Sequence, residues 1–156
     1  MTTTPVATSD LEALQEVLAG EHGAIWVLGV IGGQVAPKTP DAPKTQAALH
    51  DEVVTAYRTH RSRRDQLVAR ITTLGAAPVA ADASYSLGAV DTPPLAMAAA
   101  LKVEQRACAV YADAVSRTSG TDRGWAVNAL IDAAVRQLRF RGSPETFPGT
   151  DQLTDL

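Results

Sequence analysis

Apolar and polar positions along the chain fall into four stretches of helical period. A capping box of Ser9 and Glu12 opens the first, in which apolar or buried-type positions recur at Leu11, Leu14, Leu18, Glu21, Ile25, Leu28 and Gly32. The Gly32-Gly33 pair predicts its end, and the Pro-punctuated segment from Val35 to Pro43 predicts a loop. A second helix is predicted from Lys44 to Leu74, with a seam at Val53, Tyr57, His60, Arg64, Leu67, Ile71 and Leu74, stopped by Gly75. The third is predicted from Leu95 to Arg117, with its seam at Met97, Leu101, Glu104, Cys108, Tyr111 and Val115. Ser119-Gly120 predicts a tight turn, with Thr121 or Asp122 as cap for a fourth helix from Arg123 to Phe140 that Gly142 and Pro144 break.

The links between these helices are unequal. Ala76 to Pro94 contains Pro78, Gly88, Pro93 and Pro94 without a sustained period, and about 20 residues is long for a connection inside a bundle. Short, long and short links imply two antiparallel helix hairpins joined by a crossover, the all-α arrangement of ferritin-like four-helix bundles. The expected organisation is a flexible N-terminus over 1–8, the bundle over 9–142 and a C-terminal tail over 143–156. Composition agrees, since 46% of the 156 residues are hydrophobic but only 4% are aromatic, so Ala, Leu and Val dominate the apolar share, as suits closely packed helices.

Charge and cysteine content narrow the function classes. A net charge of -3 provides no broad basic field for nucleic acid, and the single Cys108 excludes an internal disulfide. The N-terminus lacks the basic start and apolar run of a secretory signal, and the longest apolar run, Ala24 to Ile31, is far short of the ~20 residues that span a bilayer. These features predict a cytoplasmic protein with no membrane partner. The GAAPV turn from Gly75 to Val79, HRSRRDQL from His60 to Leu67 and the tail FRGSPETFPG from Phe140 to Gly149 add a further signal. With them the chain resembles a ferritin-like domain family of unknown function, from about Leu11 to Gly149. The resemblance implies chiefly a fold, because the family carries no assigned activity.

The candidate chemistry lies in polar residues on the seams. A carboxylate-bridged di-metal site in such a bundle takes a Glu from each of two helices and a Glu-x-x-His pair from each of the others. Glu21 and Glu104 occupy the single-Glu positions. Counting back from the hairpin turns sets Glu21 level with Tyr57 to His60, and Glu104 level with Asp132 to Arg136. Tyr57-x-x-His60 therefore stands where Glu-x-x-His belongs, and Val135 or Arg136 stands in place of the second His. The buried polar candidates are Glu21, Tyr57, His60, Arg64, Glu104, Asp132 and Arg136, and the metal candidates are Glu21, His60 and Glu104. Arg64 and Arg136 bring positive charge to the depth where cations would bind. Arg64, Arg136 or Arg139 can pair with the carboxylates while Tyr57 and His60 hydrogen-bond to them. His22, one step round the helix, faces a neighbour's edge or solvent.

Gly29-x-x-x-Gly33 suggests close helix approach, Cys108 a buried inert thiol, and Phe140, Phe147 and Trp125 a cover for the bundle's end. No phosphate-binding glycine loop, HExxH, CxxC or nucleophile elbow is present in the sequence. The expected function is therefore non-enzymatic: a ligand- or partner-binding protein or scaffold, without cofactor, its metal site lost or reduced. Homo-oligomerisation, as a dimer in the simplest case, is expected through an exposed apolar helix face. One alternative is an iron or manganese metalloprotein, an oxidase or peroxide-handling protein using Glu21, Glu104, His60 and Asp132 with Tyr57. The other is anion or nucleic-acid binding through Arg61, Arg63 and Arg64, against which the acidic balance weighs.

Overall fold

Four helices carry the chain: α1 (Thr8–Val35), α2 (Lys44–Thr73), α3 (Pro93–Arg117) and α4 (Gly120–Arg141). The computed structural model describes residues 8–150 and contains no strand among them. Residues 1–7 of the expected N-terminal segment and 151–156 of the tail lie outside the described residues. α1 does not stop at Gly32-Gly33 but continues to Val35, which is buried among the residues of one end of the core. Two helical glycines cost ~1 kcal/mol each relative to alanine. Burial of the Val35 side chain returns about 1.5–3 kcal/mol, and Gln46 Nε2 caps its carbonyl at 3.3 Å.

The N-terminal caps also differ from expectation. Ser9 lies inside α1, its hydroxyl 3.4 Å from Asp10 Oδ1, so it does not act as the cap of a capping box. Ser119, rather than Thr121 or Asp122, stands at the cap position of α4. Its N–H and hydroxyl both donate to the buried Asp10 carboxylate, at 3.1 and 3.0 Å, so α1 supplies the anion that a helix start favours. Asp122 instead receives two bonds of 2.8 Å from the Arg70 guanidinium on α2.

Side-chain pairs fix the arrangement. Glu21 meets His60 and Gly32 lies against Val53, so α1 and α2 are antiparallel. Glu16 meets Arg117 and Gly20 lies against Val110, which makes α1 and α3 antiparallel as well. Glu104 with Arg136 joins α3 to α4, and Arg63 with Asp132 joins α2 to α4. α2 and α3 therefore lie diagonally and run in the same direction. Residues 74–92 must then return along the whole bundle, which explains the long crossover. They run beside α1: Gln15 binds Ala77 and Val79, His22 contacts the Val79 carbonyl, and Tyr85 packs on Trp26.

The seams depart from the predicted ones by single positions. Ala56 and Arg63 are buried on α2 in place of Tyr57 and Arg64, and Ala96 and Ala100 on α3 in place of Met97 and Leu101. Small alanines let neighbouring helices approach closely, and this turns the larger neighbours outward by one residue. Of the glycines on α1, Gly29 and Gly32 face Tyr57 and Val53, while Gly33 meets nothing. Phe140 is buried and Trp125 packs edge-on to Tyr111, but Phe147 is 70% exposed and covers nothing. Val127, Ile131, Val135 and Leu138 form an exposed apolar stripe along α4.

Two apolar clusters fill the bundle. One gathers Leu14, Leu18, Leu67, Ile71 and Ala126; the other gathers Leu28, Ile31, Val53, Ala100 and Phe140. Between them, on every helix, sits a layer of buried polar residues. The tail packs back on the bundle at Gly149, where φ is +88° and a Cβ would lie 2.6 Å from the Cys108 backbone carbon. Gly149→Ala is therefore expected to lower unfolding stability by about 1–3 kcal/mol, whereas Gly88→Ala, with nothing within 4 Å, is expected to be near neutral. Urea unfolding of the two variants checks this; equal stability would mean the tail is not seated.

Candidate functional site

The middle layer closes into a ring of hydrogen bonds contributed by all four helices. His60 on α2 stands at its centre, fully buried, with Nδ1 2.7 Å from Glu21 Oε2 and Nε2 3.3 Å from Glu104 Oε1. Both neighbours are carboxylate acceptors, so both ring nitrogens must carry protons, which makes the ring an imidazolium. Arg136 Nε donates to the same Glu104 oxygen at 2.9 Å, and its Nη1 reaches Asp132 at 3.3 Å. Arg63 Nη2 binds Asp132 at 2.9 Å and the Ala129 carbonyl at 3.2 Å, while Nη1 donates to the Tyr111 hydroxyl at 3.0 Å. Tyr111 closes the ring by donating to Glu21 Oε1. Three carboxylates thus face three cations; Glu21 and Glu104 are buried, whereas Asp132, expected among the buried polar residues, is 62% exposed and closes the ring from the surface.

Protonation follows from these contacts. Burial alone would lower the His60 pKa, but hydrogen bonds and charge from Glu104 and Glu21 outweigh it and raise it to about 9. Burial would raise the Glu104 pKa; the bond and charge of His60, with Arg136 behind them, hold it below the ordinary value instead. Burial, then the charge of Glu21, pushes the Tyr111 hydroxyl well above its ordinary range, so the phenol stays protonated. Burial likewise raises the Cys108 thiol to about 12; its Sγ lies 3.4 Å from Gln137 Oε1.

The structure brings together Glu21, His60, Glu104, Asp132 and Arg136, and leaves out Tyr57 and Arg64. Tyr57 lies half-buried under the Arg61 guanidinium, 5.7 Å from the ring centroid. Arg64 turns to its neighbour Asp65, with Nε 2.9 Å from Oδ1, and so does not hold Glu21. Arg63 and Tyr111 fill the places given to them. The arginine cluster does not converge on one face either: Arg63 is buried, Arg64 is paired and Arg61 covers Tyr57. Arg139 pairs with Glu52 at the surface, and His22 serves the crossover.

The donor set does not fit a carboxylate-bridged metal pair. Such a pair takes an imidazole from each of two helices, whereas α4 supplies none and α2 brings only His60 into the layer. Its ring occupies the space between the two carboxylates, and Arg136 takes the next position on Glu104. Among the described residues, no group of three or more His, Cys, Asp and Glu side chains is arranged to hold a metal ion.

Beside the layer, small residues on the facing flanks of α1 and α3 leave a slot of about 730 Å³. Gly20, Gly23, Ala24 and Ala107 widen it, and Tyr85 and Ser86 of the crossover form its roof. Glu21, His60 and Tyr111 lie at its floor. A Cβ at Gly23 would meet the Tyr85 ring at 3.3 Å, so the glycine sets how low the roof lies.

A family profile described as "Domain of unknown function (DUF4439)" matches residues 13–152. The chain belongs to this family. The DUF4439 chain is also similar to a solved structure of a conserved hypothetical protein, rv2844, from Mycobacterium tuberculosis, at 26% identity. That match covers 87% of this chain and 97% of the other, with a TM-score of 0.75. A mutant of Dps1 from Mycobacterium smegmatis matches at 16% identity, over 90% of this chain and 98% of that one, with a TM-score of 0.74. The latter likeness shows the fold, which is ferritin-like. No curated protein matches the chain in sequence. No helix among the described residues is long and apolar enough to cross a membrane.

The imidazolium ties stability to pH in a defined direction. A folded-state pKa of about 9 against 6.5 for an unperturbed histidine means that the folded chain holds a proton the unfolded one has lost. Stability is therefore fully present below pH 6.5 and falls by about 3 kcal/mol as pH rises through about 9. Cys108 adds a further loss only above its ordinary value of 9. At the acid end, the depressed Glu104 withdraws its contribution as pH falls below 4.5. Urea midpoints across this range are expected to drop between pH 6.5 and 9 in the wild type, and His60→Gln to lack that drop. A flat wild-type profile would exclude the imidazolium.

Proposed function

We propose that this DUF4439 chain is a non-enzymatic ligand-binding module that works without a metal ion. The slot between α1 and α3 holds a small, mainly apolar molecule, and the hydrogen-bonded ring behind it is the scaffold that keeps the slot open. The observation that carries this reading is a slot of about 730 Å³ reaching a buried polar floor, within the ~300–1,000 Å³ typical of small-molecule sites. The floor argues against acid-base catalysis, because His60 has both nitrogens engaged and Tyr111 holds its proton. Two organic cations beside Glu104 support a metal-free core by filling the place of inorganic ones.

The test uses the full chain purified without chelator. Iron and manganese are expected at trace levels, and anilinonaphthalene sulfonate is expected to bind at one site per chain. Gly20→Leu, whose Cβ alone comes within 3.9 Å of Val110 so that its longer branch must fill the adjoining slot, is expected to abolish that binding. About two equivalents of iron or manganese per chain would overturn the metal-free reading. Dye binding that survives Gly20→Leu would overturn the slot.

Self-association is assigned to the exposed stripe of Val127, Ile131, Val135 and Leu138 on α4. Their spacing keeps them on one helix face, so the same stripe on a second copy can pair with it antiparallel about a two-fold axis. Ile131, 59% exposed, lies mid-stripe. Sedimentation at micromolar concentration is expected to show a dimer that Ile131→Glu converts to a folded monomer; a monomeric wild type would remove the assignment.

A further inference from the structure

The slot has a length and a polarity that narrow what it takes, given the ligand-binding reading above. It extends from Glu16 and Arg117 at one end to Val27 and Val103 at the other. Val27 lies eleven steps along α1 from Glu16, about 16 Å of helix. An elongated molecule fills such a space better than a round one. The walls between the ends are aliphatic, with Val17, Val27, Val103 and Val110 facing across the small residues.

The charges at the slot are unequally engaged. At its lower end Arg117 is bound by Glu16 and Asp113 and has little left to offer a ligand. At the floor, Glu21 has one oxygen on His60 and the other on Tyr111, and the His60 imidazolium already balances its charge, so it has little left to offer an ammonium group. Arg106 also lines the slot, exposed at its edge, and makes no ion pair or side-chain hydrogen bond among the described residues. Lys102 lies one turn away on the same flank of α3, which leaves this part of the rim positive.

We propose that the slot takes an elongated hydrocarbon chain bearing a single carboxylate, the chain lying between the valines and the carboxylate on the Arg106 guanidinium. Arginine and carboxylate match in charge and in their paired hydrogen bonds, whereas an alcohol forms the weaker bond and an ammonium is repelled. Glu21, Tyr111 and His60 contribute a closed polar floor and no charge to the head group.

Decanoate, decan-1-ol and decylamine, titrated separately into the full chain, test the inference. Trp26, whose ring centroid lies 6.0 Å from that of Tyr85 in the roof, supplies the fluorescence signal. Decanoate is expected to bind about tenfold tighter than the alcohol, and the amine most weakly. Arg106→Gln, at an exposed position, is expected to reduce decanoate to the level of the alcohol and leave the alcohol unchanged. If the alcohol or the amine binds as tightly as decanoate, or if Arg106→Gln preserves the preference, the carboxylate assignment falls while the slot stands. If none of the three binds, the slot itself falls.

Discussion

One imidazolium held between two buried carboxylates is the interaction on which the bundle depends. Glu21 and Glu104 come from α1 and α3, and His60 reaches both from α2 through opposite edges of its ring. Without it, two negative charges would face each other across an apolar core. Removing one partner of a buried pair costs about 3–5 kcal/mol, because the other stays behind uncompensated. Set against a typical domain stability of about 5–15 kcal/mol, that is a large share for one side chain. Arg63 and Arg136 close the same ring through Asp132 and Tyr111, so α4 is bound into the layer too. The layer divides the two apolar clusters and sets the register of every helix at once. Sliding one helix by a turn would strand a charge.

The layer also governs what lies beside it. Tyr111 and Glu21 face inward to complete the ring, so the adjoining flanks of α1 and α3 carry glycine, alanine and valine. Those small residues leave the slot that the crossover roofs. The roof is held from below by Gln15 and His22 and by the tilted packing of Tyr85 against Trp26. These are surface contacts, each worth little, in contrast to the buried ring. The slot therefore joins a rigid floor to a loosely held cover, a combination that, on the proposed reading, admits a ligand without opening the core.

Helical period and loop length made the four helices, the crossover and the ferritin-like arrangement legible in the sequence. Counting from the hairpin turns also brought Glu21 to the depth of His60, and Glu104 to that of Arg136, because antiparallel helices preserve height. What the period could not decide was which of two adjacent residues faces inward. Steps of three and four can be ordered as His60, Arg64, Leu67 or as His60, Arg63, Leu67, and only helix packing chooses the latter. Ala56 beside Tyr57 was the available sign, since a close helix contact favours the smaller side chain. Tyr111 lies on the predicted seam, but the period does not show that its hydroxyl reaches Glu21. α1 and α3 share no hairpin turn from which heights could be counted, so that pairing was beyond the reach of the sequence. The slot was beyond reach, because it depends on where the crossover lies.

The ring's closure decides where selectivity can reside. A bundle of this kind with an open carboxylate would recognise cations through it, and the chemistry of the floor would follow. In this chain Glu21 has both oxygens engaged, and Glu104, whose Oε2 is buried and without a hydrogen-bond partner, does not line the slot. The deepest charges are thus spent on one another, and a bound molecule meets a floor that is polar but already satisfied. On the proposed ligand-binding reading, discrimination by charge comes from the rim, where Arg117 is neutralised by three carboxylates and Arg106 is not. On that reading the internal ion network moves recognition from the centre of the bundle to its edge.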